Sequence, residues 1–135
     1  MTPHESARRK VLAEWLRKAD ADLDLAEHLL DESAPYPGAI AFHSQQAAEK
    51  YLKALLVWRE TPFPKTHDLQ ALLNLIRPAD AALAESLREV IVLTPYGAEL
   101  RYPGDRPDPT PEQARKAVAL VQKVRRAVCA TLPLG

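Results

Sequence analysis

Two histidines, an arginine and a tyrosine are the residues of this chain that best suit chemistry on a phosphate group. Metal-independent cleavage of RNA needs a base that removes the 2′-hydroxyl proton and a cation that stabilises the charge developing on phosphate. Arg101 can supply the cation because a guanidinium fits phosphate oxygens bidentately. His43 or His67 can be the base because histidine titrates near neutral pH. Tyr102, next to Arg101, can stack on a nucleobase.

Each of these residues also has a structural interpretation. His43 can be a packing or hydrogen-bonding histidine at the flank of a helix. His67 can be the first residue of a helix, with its ring bonded to a neighbouring loop. Arg101 can pair with an acid such as Glu49 or Glu99 and so anchor its own loop.

The central stretch of the chain, residues 40–58, is predicted to be a helix because it contains no Gly or Pro and consists mostly of strong helix formers. One broad face of this helix is apolar. His43, Gln46 and Lys50 form a polar stripe beside that face, with Lys53 just beyond it. This flank can line a ligand groove or a partner surface. The predicted ligand-binding residues are Arg101, Tyr102, His43, Gln46, Lys50 and Lys53.

Helical periodicity and capping signals predict the elements that position these side chains. The expected helices cover residues 3–31, 40–58, 67–76, 79–93 and 111–131. Thr66 is the expected cap of the third, and Thr110 with Gln113 forms a capping box before the last. Residues 94–109 are expected to be a loop. The fold class is therefore predicted to be all-α, an antiparallel up-down bundle of four to five helices, with residues 1–135 as one domain.

Composition limits the classes of function. The 18 basic residues balance 18 acidic ones, which removes the simple argument for non-specific nucleic-acid binding. Cys129 is the single cysteine, so neither a disulfide framework nor a thiolate metal site is expected. No metal and no cofactor is predicted. No apolar run approaches the roughly 18 residues of a membrane span, and the start of the chain lacks a signal peptide's apolar core. These features predict a cytoplasmic protein without membrane association.

The first helix carries an acidic stripe, and the last helix is basic. The stripe is predicted to be a solvated face because no His joins it at ligand spacing, and some basic side chains of the last helix are expected to pair with it. The acidic residues are Asp20, Asp24, Glu27 and Asp31.

Three separated segments resemble the motifs of the HEPN domain family. They are residues 42–54 (FHSQQAAEKYLKA), 66–69 (THDL) and 96–103 (YGAELRYP), in the family's order. The resemblance implies a helical bundle that usually dimerises and that often pairs with a minimal nucleotidyltransferase in a toxin–antitoxin module. It also implies that Arg101 stands where many members have the Arg of a ribonuclease motif, in which a His follows after four to six residues. Residues 102–109 contain no His, so that motif is not intact here.

The predicted function is a nucleotide- or RNA-binding helical partner subunit of a minimal nucleotidyltransferase. The chain has no Gly-Ser and paired-Asp nucleotidyltransferase motif of its own, so that chemistry would come from another polypeptide. A homodimer is expected, formed through apolar surface that a small domain leaves uncovered. One alternative is a metal-independent endoribonuclease toxin that uses Arg101 with a displaced His43 or His67. A further alternative is a structural dimerisation module.

Overall fold

Two long helices and a third of intermediate length account for most of the structure. The computed structural model describes residues 1–33, 35–97 and 107–133. Its elements are α1 (Pro3–Asp31), α2 (Pro37–Trp58), α3 (Leu69–Ile76), α4 (Ala81–Ser86), a 3₁₀ helix (Arg88–Tyr96) and α5 (Pro111–Cys129). The described residues contain no strand. The prediction of an all-α fold is confirmed.

Capping residues explain where the longest helices begin. Thr2 caps α1, since its side-chain oxygen accepts a hydrogen bond from the backbone N–H of Glu5 at 3.1 Å. Before α5, Thr110 and Gln113 form the predicted capping box through two reciprocal hydrogen bonds of 2.9 and 3.1 Å. Pro37 occupies the first position of α2, so this helix begins three residues earlier than predicted.

Helix α2 is the centre of the bundle and packs against α1, α3, the 3₁₀ helix and α5. His4 contacts Glu60 and Asp22 contacts His43, so α1 and α2 run antiparallel. The apolar face predicted for α2 is buried. Its fully buried side chains include Tyr51, Leu52, Leu55 and Leu56.

The prediction of one continuous α-helix over residues 79–93 is wrong. The chain instead forms the short α4 and then the 3₁₀ helix, which continues through Pro95 into the segment predicted to be a loop. The reason lies in the spacing of the buried residues: Leu87, Val90 and Leu93 recur every three positions. A 3₁₀ helix has three residues per turn, so it places all of them on one ridge facing the core.

The start of α3 also differs from the prediction. Asp68 is the N-cap, accepting from the N–H of Gln70 at 3.0 Å, and the helix begins at Leu69. Thr66 instead closes the preceding turn by accepting from the N–H of Asp68 at 3.0 Å. His67 therefore precedes the helix, and its side chain is free to reach across to α2.

Candidate functional site

The polar flank of α2 contains four buried polar or charged side chains, which are Ser44, Gln45, Glu49 and Lys53. Buried polar groups are costly unless they are hydrogen-bonded. Ser44 meets this requirement locally, because its hydroxyl donates to the carbonyl of Ile40 at 2.8 Å. The other three belong to one network.

Glu49 is the centre of that network, which we call the Glu49 cluster (Gln45, Glu49, Lys53 and His67). One carboxylate oxygen of Glu49 lies 2.8 Å from Nδ1 of His67, and the other accepts from Nζ of Lys53 at 3.0 Å. Nε2 of Gln45 lies 3.3 Å from Glu49 and 3.2 Å from the carbonyl oxygen of His67. An ionised carboxylate only accepts, so the proton of the imidazole is on Nδ1.

Exposure differs strongly within the Glu49 cluster. The side chain of Glu49 is 6% exposed and that of Lys53 is 9% exposed, whereas that of His67 is 55% exposed. Nε2 of His67 has no hydrogen-bond partner among the described residues. The Glu49 cluster therefore holds the half-exposed imidazole of His67 against the buried carboxylate of Glu49.

A second group, the Asp22 cluster, contains Asp22, His43 and Lys50. Oδ1 of Asp22 lies 3.0 Å from Nδ1 of His43, and Oδ2 forms an ion pair with Nζ of Lys50. All three side chains are partly buried, with 15–27% exposure. His43 is thus a hydrogen-bonding histidine at the helix flank, and about a quarter of its side chain is exposed.

Gln46 is hydrogen-bonded to the Glu49 cluster and not to His43 and Lys50, its neighbours in the predicted stripe. Its Nε2 donates to Oε1 of Gln45 at 2.7 Å. The structure separates the two histidines onto different carboxylates, with His43 on Asp22 and His67 on Glu49. Arg101 and Tyr102, the remaining predicted site residues, lie outside the described part of the chain.

Gly97 is the last described residue before the segment that contains Arg101, and it packs on the Glu49 cluster. A Cβ atom at this position would lie 3.1 Å from Cδ of Gln45 and 3.2 Å from both of its terminal atoms. Glycine allows this close approach to the buried Gln45 side chain, which is held by its hydrogen bonds.

Asp22 was not predicted from the sequence, although the sequence contains a signal for it. It lies three residues after Ala19 and four before Ala26, both of which are buried. An acidic residue on the core side of a helix requires a cation or a donor opposite it. Glu49 was predicted only as an anchor for Arg101, and the structure shows that it binds Lys53 and His67.

The acidic stripe of α1 is not simply a solvated face. Oδ1 of Asp20 accepts from the hydroxyl of Tyr51 and, at 3.0 Å, from Nε of Arg125, and Glu27 accepts from Gln122 at 2.7 Å. The expected pairing with the last helix is confirmed for Arg125. Burial, and then the hydrogen bond to Asp20, raise the pKa of Tyr51 far above its usual value. No group of three acids, histidines or cysteines suited to a metal occurs among the residues described.

A family model described as "HEPN domain" matches residues 12–131 of the chain. The chain belongs to the HEPN family. This match spans all the helices from most of α1 to the end of α5 and includes both carboxylate clusters. Comparisons with curated proteins and with solved structures find no match. No helix in the described part of this HEPN protein is long and apolar enough to cross a membrane.

Proposed function

We propose that this HEPN protein is a nucleotide- or RNA-binding helical subunit that pairs with a minimal nucleotidyltransferase in a toxin–antitoxin-type module. The observation that carries the proposal is the Asp22 cluster. Asp22 holds the imidazole of His43 and the ammonium of Lys50 side by side at the rim of α2. An ammonium has three donors and uses one of them on Asp22, so donors remain for a phosphate oxygen.

The Glu49 cluster supports the same proposal from the neighbouring face of α2. Its half-exposed His67 adds a further donor or acceptor for a ligand. Arg101 and Tyr102 follow Gly97 by four and five residues in the sequence, and Gly97 packs on Gln45. Arg101 would bind phosphate, and Tyr102 would stack on the base.

The nucleotidyltransferase in this proposal is a second polypeptide, since residues 1–135 carry no motif for that chemistry. We also propose that the subunit forms a homodimer. Several large apolar side chains are exposed on the single chain and would be covered by a second copy. They are Val11, Leu25, Tyr36 and Val92.

Ligand-induced thermal stabilisation tests the binding role. We expect ATP or single-stranded RNA to raise the Tm of the wild-type protein. Lys50→Ala should remove that rise, whereas Lys65→Ala, which changes an exposed lysine, should keep it. Purification from the source cells followed by mass spectrometry should identify a co-purifying nucleotidyltransferase. Absence of both the Tm rise and the partner would contradict the proposal and leave a structural dimerisation module.

A ribonuclease is the second candidate function, and the pairing of His67 with Glu49 favours it. The buried carboxylate fixes the Nδ1 proton, so the accessible Nε2 presents its lone pair as a general base. Arg101 would stabilise the charge on phosphate. Single-stranded RNA incubated with EDTA tests this candidate. Cleavage should disappear in Arg101→Ala and His67→Ala and persist in His4→Ala, which changes an exposed histidine. No cleavage by the wild-type protein would rule it out.

A further inference from the structure

Arginine side chains gather around Trp58 where the start of α1 meets the end of α2. The guanidinium carbon of Arg8 lies 3.7 Å from the centroid of the Trp58 ring, and that of Arg9 lies 5.5 Å from it. Arg8 also donates to the carbonyl oxygen of Trp58. Arg59, the next residue along the chain, is three-quarters buried. We call these four residues the Trp58 cluster.

The positive charge of the Trp58 cluster is poorly compensated. Neither Arg8 nor Arg9 forms an ion pair with a described carboxylate, and Arg59 has only Asp80, at 3.7 Å. Each arginine also has one buried nitrogen without a hydrogen-bond partner: Nε of Arg8, Nε of Arg9 and Nη1 of Arg59. A buried donor without an acceptor is costly, and because these three nitrogens are covered, an anion would bind through the other nitrogens of the guanidinium groups.

The chain has no net charge, but its N-terminal segment is basic. Residues 1–18 contain five Lys or Arg and two acids, whereas residues 19–31 of α1 contain five acids and no Lys or Arg. Other helices compensate that acidic part, because Asp20 binds Arg125 and Asp22 binds His43 and Lys50. Within the basic part, Arg17 pairs with Glu14, whereas Arg8 and Arg9 have no carboxylate partner among the described residues.

Helix capping explains only part of the Trp58 cluster. Arg8 satisfies a carbonyl at the C-terminal end of α2, where the helix dipole also favours a cation. Arg59 has its weak partner in Asp80. The guanidinium of Arg9, however, lies near the ring of Trp58 and has no hydrogen bond or ion pair with a described residue. A structural role for the other two therefore leaves Arg9 unexplained.

We propose that the Trp58 cluster binds the phosphate groups of single-stranded RNA or of a free nucleotide. Arginine suits phosphate because its planar fork donates to two oxygens at once. The site does not depend on the function proposed above, since Trp58 follows His43 by 15 residues, or about 22 Å along α2.

Trp58 fluorescence provides a direct test, because the chain has only two tryptophans. In a Trp15→Phe background, Trp58 is the sole reporter. We titrate this protein with tripolyphosphate, ATP and a single-stranded RNA at several salt concentrations. We expect saturable quenching of Trp58 fluorescence. A response to RNA alone would show that the site binds an RNA strand. A response to ATP as well would show that it also binds free nucleotides.

Arg9→Ala in the same background should weaken the affinity about tenfold. It should also reduce the slope of log affinity against log salt for RNA by about 0.7, the amount for one phosphate contact. Arg17→Ala is the matched control on α1, since Arg17 already pairs with Glu14. Circular dichroism verifies folding, and Arg9→Lys, which keeps the charge, should bind with intermediate affinity.

Two outcomes would overturn the proposal. One is the absence of any Trp58 response to tripolyphosphate, ATP and RNA. The other is equal affinity in Arg9→Ala and Arg17→Ala. Lys50→Ala distinguishes this site from the one on the rim of α2, because it should leave the Trp58 response unchanged even if the function proposed above fails.

Discussion

Nδ1 of His67 and Oε1 of Glu49 lie 2.8 Å apart and join the loop that precedes α3 to the middle of α2. The same carboxylate binds Lys53, so a single buried acid fixes one side chain of the core and one at the surface. Asp22 repeats the arrangement with His43 and Lys50. The polar flank of α2 is therefore ordered before any ligand arrives, which reduces the conformational entropy lost on binding.

Removing the charge of Glu49 should destabilise the fold substantially. Glu49→Gln leaves the ammonium of Lys53 without a counter-charge at a position that is only 9% exposed. We expect a loss of about 3 kcal/mol in the free energy of unfolding, measured with urea. Glu14→Gln breaks an exposed pair with Arg17 and should cause no measurable change. Equal stability of the two variants would show that Lys53 is solvated.

Substitution by alanine should have opposite effects on stability at the two described glycines, Gly97 and Gly38. Gly97→Ala forces a methyl group against the buried Gln45 and should cost about 1–2 kcal/mol. Gly38 lies in the first turn of α2, and nothing lies within 4 Å of the place that an alanine methyl group would occupy. Gly38→Ala should therefore stabilise the fold by about 0.5 kcal/mol. Urea unfolding of both variants measures the difference. A stabilising Gly97→Ala would contradict the contact with Gln45.

Tyr51 should make the fold sensitive to alkaline pH. Its pKa in the folded protein is raised by burial and by Asp20, so its contribution to stability is complete below about pH 10, the usual tyrosine pKa. That contribution is lost as the pH rises further, because the unfolded chain releases the proton first. Tyr51→Phe should cost about 1 kcal/mol at pH 7 and reduce the loss of stability above pH 10.

Urea unfolding at several pH values measures this dependence. Tyr36→Phe is the control because Tyr36 is exposed, and it should lose stability above pH 10 as steeply as the wild-type protein. The same steep loss in Tyr51→Phe would assign the alkaline sensitivity to another group.

Cys129 should react slowly with alkylating reagents. Burial raises the pKa of its thiol, although the nearby Arg125 guanidinium acts in the opposite direction. Because the thiolate is the nucleophile, iodoacetamide at pH 7.5 should modify the folded protein several-fold more slowly than the urea-unfolded chain. Mass spectrometry of samples taken over time measures the two rates. Equal rates would mean that the thiol is accessible and ionises normally.

The parts of the fold that were predictable have local causes. Thr2 and Thr110 each cap the helix that follows and are each followed by a proline at its first position, so α1 and α5 were placed almost correctly. The 3₁₀ helix was missed because Leu87, Val90 and Leu93 also fit part of an α-helical pattern. Only packing against the core distinguishes a period of three from one of 3.6.

The candidate site was predictable in its residue types but not in its partners. The positions of His43, Gln46, Lys50 and Lys53 on α2 follow from helical spacing. Their division between Asp22 and Glu49 depends on how α1 and the loop that precedes α3 pack against α2. Such tertiary contacts leave no local pattern in a single sequence.

The contact of Asp20 with Arg125 also affects how the chain can fold while it is being synthesised. These residues are 105 positions apart, so Asp20 and the hydroxyl of Tyr51 leave the ribosome long before the arginine that completes their hydrogen bonds. Until then, the α1–α2 hairpin presents to solvent the apolar surface that α5 later covers. That surface stays exposed until α5 has left the ribosome, and during this time the nascent chain is open to chaperones and to aggregation.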